Sequence, residues 1–244
     1  MAQYKNLERL VIFDADGTTI DAFHAIEQAF LRHGMDIGDI DRFQKRRKLF
    51  KYLGGLREFP TNLRRQFGKQ SRKRLLATLT EIYRYEACLY PGIDSLLRSL
   101  LAAPNTRVGL ITRNVTIEPA ETLKCLFQRH GIDTGEFDYF ACIPLRENKA
   151  AHLKRARQSF AINPARSYAC GDEYSDYLAA IDSGMHPFVV SYGFEDSVRL
   201  TKKFGVPTEV ISTSPAEFVD SLRNALNLVA EAPHPNQLTL RKPR

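Results

Sequence analysis

The residues of this chain that could do chemistry are polar side chains that follow apolar segments or open a helical pattern. They are Asp14, Asp16, Thr112, Lys149, Asp172 and Asp176. The apolar segments have the uninterrupted character of buried parallel strands. In an open parallel sheet, the groups beyond the carboxyl ends of the strands share one edge, where ligands bind. We therefore expect carboxylates, a hydroxyl group and an ammonium group to meet at that edge.

A cluster of carboxylates at one edge predicts a bound cation. Like charges repel, so buried carboxylates destabilise a protein unless a positive ion lies among them. A small number of hard oxygen ligands favours Mg²⁺ over zinc, and protein-bound Mg²⁺ typically lies beside a phosphate group. Thr112 and Lys149 would bind the other phosphate oxygens. The set also provides what an aspartyl-phosphate intermediate needs: a carboxylate nucleophile, a metal ion and a second carboxyl group as acid and base.

The elements that must position these residues alternate between strands and helices. We predict strands at residues 10–13, 108–111, 167–170, 187–190 and, less strongly marked, 209–211. Helical periodicity covers residues 93–101, 116–130, 150–160, 174–183 and 214–229. This alternation predicts an α/β fold, in which helices cover both faces of a parallel sheet.

Residues 21–88 interrupt this alternation. They offer no convincing strand pattern, and helical patterns cover residues 22–33, 41–53 and 72–85. The segment has 15 Lys and Arg against 8 Asp and Glu, so it carries the whole formal net charge of +7. We predict three parts, which are an α/β core (residues 1–20 and 89–230), an inserted all-helical cap domain (21–88) and a loosely ordered, Pro-rich tail (231–244).

The basic excess suggests an anionic partner, and its densest run is Lys45-Arg46-Arg47-Lys48, with Lys51 nearby. Three interpretations stay open: a solvated helix face, a funnel that attracts a phosphorylated or polyanionic substrate, and a nucleic-acid surface. We do not expect a nucleic-acid partner, because no recognised nucleic-acid-binding fold accompanies the run. In the glycine-containing loop that follows, Arg57 could grip the substrate and so contribute to specificity.

Composition and cysteine usage exclude several classes of protein. With 43% hydrophobic and 26% charged residues, the 244-residue chain resembles an ordinary globular protein. It contains no run of 18 apolar residues, and its first residues lack the apolar run of a signal peptide, so we expect no membrane association. The four cysteines form no CxxC pair and no zinc pattern, which predicts reduced thiols and a cytoplasmic location.

The segment Asp14-Ala15-Asp16-Gly17-Thr18 after an apolar strand resembles the first motif (DxDGT) of the haloacid dehalogenase-like (HAD) superfamily. Ile111-Thr112 resembles its second motif, Lys149 its third, and Gly171-Asp172 with Asp176 its fourth. The order and spacing fit, and residues 180–185 with Tyr192-Gly193 resemble the phosphoglycolate-phosphatase-like subgroup. The resemblance covers residues 8 to about 228. It implies a Rossmann-like core with a helical cap inserted after the first motif.

The resemblance also implies a role for each carboxylate. Asp14 would attack phosphorus and ligate Mg²⁺. Asp16 would protonate the leaving oxygen and then activate water, while its backbone carbonyl ligates the metal. Asp172 would be a metal ligand, and Asp176 a ligand or a support for one. A helix first-turn carboxylate that only stabilises its own helix is the alternative for Asp176.

The phosphate-binding residues implied by the resemblance follow the second predicted strand and open a later helix. Thr112 and Lys149 would bind the phosphoryl group, and Lys149 would also offset the charge on Asp14. Many relatives have Asn directly after the hydroxyl residue, whereas here Arg113 separates Thr112 from Asn114. Either Arg113 or Asn114 could therefore face the ligand.

The second aspartate of the first motif favours one branch of the superfamily. The dehalogenases lack an acid at this position, whereas phosphate transfer from a poor alkoxide leaving group benefits from one. Asp16 therefore favours a Mg²⁺-dependent phosphatase acting on a small phosphorylated metabolite. Two alternatives stay open: a phosphomutase with the same motifs, and a catalytically weak HAD-like protein whose basic cap binds a polyanionic partner.

Overall fold

The computed structural model describes residue 4, residues 7–35 and residues 69–228 of the chain. In this part, six parallel strands form one sheet in the order β3-β2-β1-β4-β5-β6. The strands are β1 (Arg9–Phe13), β2 (Thr106–Thr112), β3 (Tyr139–Cys142), β4 (Ser167–Gly171), β5 (His186–Val190) and β6 (Ile211–Ser212). The α-helices are α1 (Ala22–Leu31), α2 (Lys69–Tyr85), α3 (Ile93–Ala102), α4 (Pro119–Arg129), α5 (Lys149–Ser159), α6 (Tyr174–Asp182) and α7 (Pro215–Ala225).

The strand β1 lies between β2 and β4 and is fully buried over residues 10–13. Its register places Phe13 opposite Leu110 of β2 and opposite Cys170 of β4. Because all three strands run in the same direction, the residues that follow them emerge at the same edge of the sheet. This register brings the polar segments after β1, β2 and β4 close to one another.

Alternate residues of β1 pack on opposite faces of the sheet, as the two-residue period of a strand requires. Val11 and Phe13 belong to the larger apolar cluster, to which α1, α2, α3, α4 and α7 contribute. Leu10 and Ile12 belong to a second cluster, which contains residues of α5 and α6. Helices therefore cover both faces of a parallel sheet, and the predicted α/β fold is confirmed.

The two edge strands of the sheet, β3 and β6, differ most from the sequence-based expectation. The edge strand β3 was not among the predicted strands, and all four of its residues are only half-buried. A short edge strand pairs on one side only, so its apolar pattern is weak. The expected strand at 209–211 lies later than predicted, because Thr208–Val210 form a 3₁₀ turn and β6 begins at Ile211.

The helices in the described part of the core match the predicted segments closely. Proline fixes two of the starts, since Pro119 and Pro215 occupy the first turns of α4 and α7. In α7 the Ser214 side chain accepts a hydrogen bond from the backbone N–H of Glu217. Among the described helices, none combines the length and the apolar character needed to span a bilayer.

The chain leaves the core after β1 and rejoins it before α3 at neighbouring points. Ile20 and Leu89 form an antiparallel bridge, and the backbone N–H of Asp21 donates to the carbonyl of Cys88 at 3.0 Å. Between these points, α1 and α2 pack against each other. The division into core, cap and tail stays a prediction. Outside the described residues lie the helical pattern at 41–53, the basic run at 45–48 with Lys51, Arg57, and the tail at 231–244.

Gly109 of β2 should not tolerate a side chain. A Cβ atom there would meet the Ile12 side chain and lie 2.8 Å from the backbone carbonyl oxygen of Tyr139, which cannot move without disturbing β3. We expect Gly109→Ala to lower the free energy of unfolding by about 1–3 kcal/mol, as overpacking does. The measurement is the midpoint of urea unfolding.

Gly135→Ala is the matched control for this substitution. The nearest atom to a Cβ at Gly135 is an oxygen of Asp133 at 3.3 Å, which belongs to an exposed side chain and needs to shift only slightly while it keeps its hydrogen bond from the Gly135 N–H. We expect a change within about 0.5 kcal/mol, the usual range for a surface substitution. Equal effects of the two substitutions would contradict the packing argument.

Candidate active site

The loop after β1 is held in shape by its own backbone. The carbonyl oxygen of Ala15 accepts hydrogen bonds from the N–H groups of Thr19 and Ile20, both at 2.9 Å. The hydroxyl of Thr19, a fully buried residue, donates to the same oxygen at 3.1 Å. Gly17 has a φ of +79°, the left-handed conformation that glycine adopts without strain. The tight turn holds Asp14 and Asp16 beside each other at the edge of the sheet.

Two glycines allow neighbouring loops to approach the carboxylate of Asp172. A Cβ atom at Gly17 would collide with that carboxylate, and a Cβ at Gly193 would collide with both it and the carbonyl oxygen of Gly17. The loops after β1, β4 and β5 therefore meet around Asp172 with no room for a side chain between them. Tyr192 adds a further link, since its hydroxyl donates to the carbonyl oxygen of Thr18 at 3.1 Å.

Lys149 opens α5 and extends between two carboxylates. Its Nζ lies 2.5 Å from Asp14 Oδ2 and 2.8 Å from Asp176 Oδ1, and only 7% of its side chain is exposed. Burial by itself would lower the pKa of this ammonium group, but the two carboxylates raise it above its ordinary value. The lysine therefore carries its positive charge inside the site. This burial distinguishes it from a solvated lysine at a helix start.

Asp172 follows β4 by one residue and is fully buried. Its Oδ2 accepts a hydrogen bond from the backbone N–H of Phe194 at 2.6 Å. Its buried Oδ1 has no hydrogen-bond partner in the described structure. Burial raises the pKa of Asp172 well above its ordinary value, and the neighbouring acidic residues Glu173, Asp176 and Asp14 raise it further. An unpartnered carboxylate oxygen in this environment is suited to a cation.

Asp14, Asp172 and Asp176 together form a group of carboxylates that could hold a metal ion. One oxygen from each lies within 4.8 Å of the others. Burial raises the pKa of Asp14 to about 7, because desolvation and the charge of Asp176 outweigh the opposing effect of Lys149. The donor set consists of carboxylate oxygens alone, which suits a hard divalent cation such as Mg²⁺. The residues present therefore fit such an ion.

Asp176 has a structural role as well as a place in this group. Its Oδ2 accepts from the backbone N–H of Glu173 at 3.1 Å, which completes a capping box at the start of α6. Its Oδ1 accepts from Lys149. A Cβ atom at Gly171 would collide with the Asp176 side chain, so this glycine lets the first turn of α6 approach the end of β4.

Asp16 lies next to the carboxylate group but has a different set of partners. Its Oδ1 accepts a hydrogen bond from the Tyr83 hydroxyl at 2.8 Å, and the Asn114 amide nitrogen lies 3.0 Å from both carboxylate oxygens. Burial raises the pKa of Asp16, whereas the hydrogen bonds from Tyr83 and Asn114 lower it. The pKa of Tyr83 is raised by its own burial and by Asp16, so the phenol remains a neutral donor.

The three residues at the end of β2 and just after it have different surroundings. Thr112 is fully buried, and its hydroxyl has no hydrogen-bond partner in the described structure, so it can serve a ligand at this edge. Asn114 turns to Asp16. Arg113 turns instead to α6, where its guanidinium lies 3.4 Å from Glu173 and donates to the Ser175 hydroxyl at 3.1 Å.

The structure therefore brings nearly all of the predicted site residues to one edge of the sheet, while Arg57 lies outside the described residues. It also adds two groups that the sequence analysis did not identify: the Tyr83 hydroxyl and the backbone N–H of Phe194. Tyr83 lies 67 positions from Asp16 on an otherwise ordinary amphipathic helix, so no local pattern indicates the contact. A backbone donor such as that of Phe194 has no residue signature at all.

The chain is similar to curated proteins over part of its length. It is 28% identical over 148 residues to a phosphoglycolate phosphatase of Vibrio vulnificus, an alignment that covers 58% of this chain and 56% of that protein. The chain thus matches little more than half the length of this curated relative.

Similar structures cover more of the chain at lower sequence identity. A predicted phosphoglycolate phosphatase from Haemophilus somnus has a TM-score of 0.62 at 18% identity, covering 90% of this chain and 98% of that one. A candidate β-phosphoglucomutase from Thermotoga maritima has a TM-score of 0.59 at 18% identity, covering 88% of this chain and 99% of that one. At these identities the likeness shows the fold.

Two family models match this chain. The model of the haloacid dehalogenase-like hydrolases matches residues 8–184, which include β1, β2, β4 and the polar segments that follow them. A second model, described as HAD-hydrolase-like, matches residues 146–225. The carboxylate group, Lys149 and Asp16 all lie within the first match. The chain belongs to the haloacid dehalogenase-like hydrolase family.

Proposed function

We propose that this protein is a Mg²⁺-dependent phosphatase that hydrolyses a small phosphate monoester through an aspartyl-phosphate intermediate. The observation that carries the proposal is the pair of neighbouring aspartates with different partners. Asp14 lies 2.5 Å from a buried ammonium group, and Asp16 accepts hydrogen bonds from the neutral donors Tyr83 and Asn114. Such a division gives one carboxylate the role of nucleophile and the other that of acid and base.

Asp14 is the proposed nucleophile. Its position at the end of β1 fixes its backbone, and Lys149 offsets its negative charge when an anionic phosphate approaches. A carboxylate oxygen of Asp14 would form a bond to phosphorus while the ester P–O bond breaks. Asp16 would give its proton to the leaving oxygen, and would then take a proton from the water that hydrolyses the aspartyl phosphate.

The proposed metal site consists of the side chains of Asp14 and Asp172 and the backbone carbonyl of Asp16, with Asp176 as a further ligand or a support. Mg²⁺ bound there would offset the negative charge of the phosphoryl group and of the surrounding carboxylates. The unpartnered, buried Oδ1 of Asp172 supports this assignment. The backbone N–H of Phe194 holds the other carboxylate oxygen, Oδ2, and Gly17 and Gly193 leave the room that this carboxylate occupies.

The phosphoryl group would be bound by Thr112 and Lys149. The buried Thr112 hydroxyl has no hydrogen-bond partner among the described residues, so it could donate to a phosphate oxygen. Arg113 lies 3.9 Å from Asp176 Oδ1, close enough to the carboxylate group to add positive charge near a bound phosphate. The Asn114 amide is occupied by Asp16, so we assign it to the acid and base rather than to the phosphate.

The matched Vibrio vulnificus protein is named as a phosphoglycolate phosphatase, and we propose 2-phosphoglycolate as the first substrate to test. A second candidate function is a phosphomutase, because Asp14, Asp16, Thr112 and Lys149 are the groups that such an enzyme would need as well. The two functions share the nucleophile and the acid. They differ in product, because a mutase returns the phosphoryl group to a sugar instead of to water.

We also propose the cytoplasm as the compartment of this protein. All four cysteines are free thiols in the structure. Disulfides form and persist in oxidising compartments, so unpaired cysteines are the expected state in a reducing one.

Removal of the nucleophile should abolish turnover. We expect Asp14→Asn to lower kcat for 2-phosphoglycolate and for p-nitrophenyl phosphate by at least about 1,000-fold, because the amide cannot attack phosphorus. The measurement is release of inorganic phosphate. Asp133→Asn is the matched control, since Asp133 is exposed and its substitution should leave kcat unchanged. Residual activity of Asp14→Asn near the wild-type level would count against the mechanism.

Mg²⁺ should affect both the activity and the stability of the protein. We expect EDTA to abolish phosphate release and added Mg²⁺ to restore it. Mg²⁺ at about 100 times its Kd should also stabilise the wild-type protein by about 2.7 kcal/mol, because it binds the folded state alone. The measurement is the midpoint of thermal unfolding with and without Mg²⁺. Mg²⁺ should raise this midpoint in the wild-type protein and leave it unchanged in Asp172→Asn. A Mg²⁺-induced rise that persists in Asp172→Asn would place the ion elsewhere.

A further inference from the structure

The two carboxylate oxygens of Asp16 are not equivalent. Oδ1 accepts from the Tyr83 hydroxyl at 2.8 Å and also lies 3.0 Å from the Asn114 amide nitrogen. Among the described residues, Oδ2 has a single hydrogen-bonding contact, the one that it shares with the same amide nitrogen, also at 3.0 Å. A carboxylate oxygen that accepts hydrogen bonds from two donors has both of its lone pairs engaged, so it is poorly placed to carry a proton. Oδ2 is therefore the oxygen available for proton transfer.

Asn114 is itself held in one orientation. Its side-chain oxygen accepts hydrogen bonds from both the backbone N–H and the hydroxyl of Thr116, the former at 2.9 Å. An amide whose oxygen is engaged in this way must present its NH₂ group on the other side, where Asp16 lies. Asn114 is also buried, so water does not compete for this amide.

Tyr83 is fixed through the helix that carries it. The Thr80 hydroxyl accepts from the backbone N–H of Ile117 at 2.9 Å, and Arg84 pairs with Glu118 at 3.0 Å. Arg129 of α4 donates to the carbonyl of Ala87, just beyond α2, at 2.6 Å. These contacts attach the C-terminal half of α2 to the segment that follows β2. Both donors to Asp16 therefore belong to one connected assembly.

We propose that Tyr83 is a positioning residue that, together with Asn114, directs the proton of Asp16 to Oδ2. This proposal rests on the proposed phosphatase function. As the ester P–O bond breaks, its electron pair goes to the leaving oxygen, which takes the proton from Oδ2, while the Asp14 oxygen forms the new bond to phosphorus. Water then attacks phosphorus and gives a proton to Oδ2, while the bond between phosphorus and the Asp14 oxygen breaks and its electron pair returns to Asp14. Phosphate is released, the Asp14 carboxylate is restored and Asp16 is protonated again.

Two substrates with different leaving groups can show whether a substitution misplaces the acid or disturbs the whole active site. An alkoxide leaves poorly unless it is protonated, whereas the p-nitrophenolate ion is stable and needs no proton. The ratio kcat/KM reports the steps up to phosphoryl transfer, so it contains leaving-group departure and excludes the later hydrolysis that both substrates share. A defect in Asp16 should therefore lower kcat/KM for an alkyl ester far more than for an aryl ester.

The test compares Tyr83→Phe with wild type on 2-phosphoglycolate and on p-nitrophenyl phosphate. Removal of one hydrogen-bonding hydroxyl should lower kcat/KM for the alkyl ester by about 10-fold or more, and for the aryl ester by less than about 3-fold. Tyr85→Phe is the matched control, because Tyr85 is 69% exposed on the same helix. We expect it to leave both values unchanged.

A second variant guards against poor folding of the first. Asn114→Ala removes the other donor to Asp16 and should show the same selective loss on the alkyl ester. In an Asp16→Ala background, Tyr83→Phe should have no further effect on the alkyl ester, since the group that it positions is gone. The proposal would be overturned if Tyr83→Phe and Asn114→Ala lowered kcat/KM equally for both esters, or if neither variant lowered it. It would also be overturned if Tyr83→Phe had its full effect on the alkyl ester in the Asp16→Ala background. If wild type hydrolyses neither ester, the proposed phosphatase function falls as well.

Discussion

A buried ammonium group between two buried carboxylates is the interaction on which the rest of the site depends. Lys149 lies within 2.8 Å of both Asp14 and Asp176 and is almost fully removed from water. Without it, the carboxylates would repel one another in a medium that screens charge poorly. Removal of one partner from such a buried ion pair typically costs about 3–5 kcal/mol. The lysine therefore holds the group together and keeps positive charge where an anionic substrate would bind.

Two aspartates only one residue apart acquire different environments from this arrangement. Asp14 contacts a cation, while Asp16 contacts a phenol and an amide, both neutral. Lys149 favours the charged form of Asp14, which a nucleophile requires, and so opposes the burial that raises the pKa of this carboxyl group. The neutral donors orient the Asp16 carboxyl group, which must exchange a proton. The difference between their environments comes from their hydrogen-bond and ion-pair partners, since both residues lie on the same turn after β1. It is the physical basis of the proposed division of roles.

Close approach of three loops explains why glycine occurs at particular positions. Gly17, Gly171 and Gly193 each lie where a Cβ atom would collide with Asp172 or Asp176. All three glycines belong to segments that carry the family resemblance, but the resemblance does not say which contact each glycine avoids. The strand β3 was missed for a related reason, because a half-buried edge strand leaves only a weak pattern in the sequence. Central strands such as β1 are buried on both faces and show uninterrupted apolar runs.

The sequence by itself determined the α/β fold and the identity of the polar residues at the edge of the sheet. It could do so because the hydrophobic pattern of a buried strand is local and because parallel strands end at a common edge. Only the tertiary structure decided that Asn114 turns to Asp16 and Arg113 to Glu173, and that Tyr83 of a distant helix completes the environment of Asp16. Such contacts depend on side-chain orientation and on the packing of α2 against the core, which residue spacing along the chain does not encode.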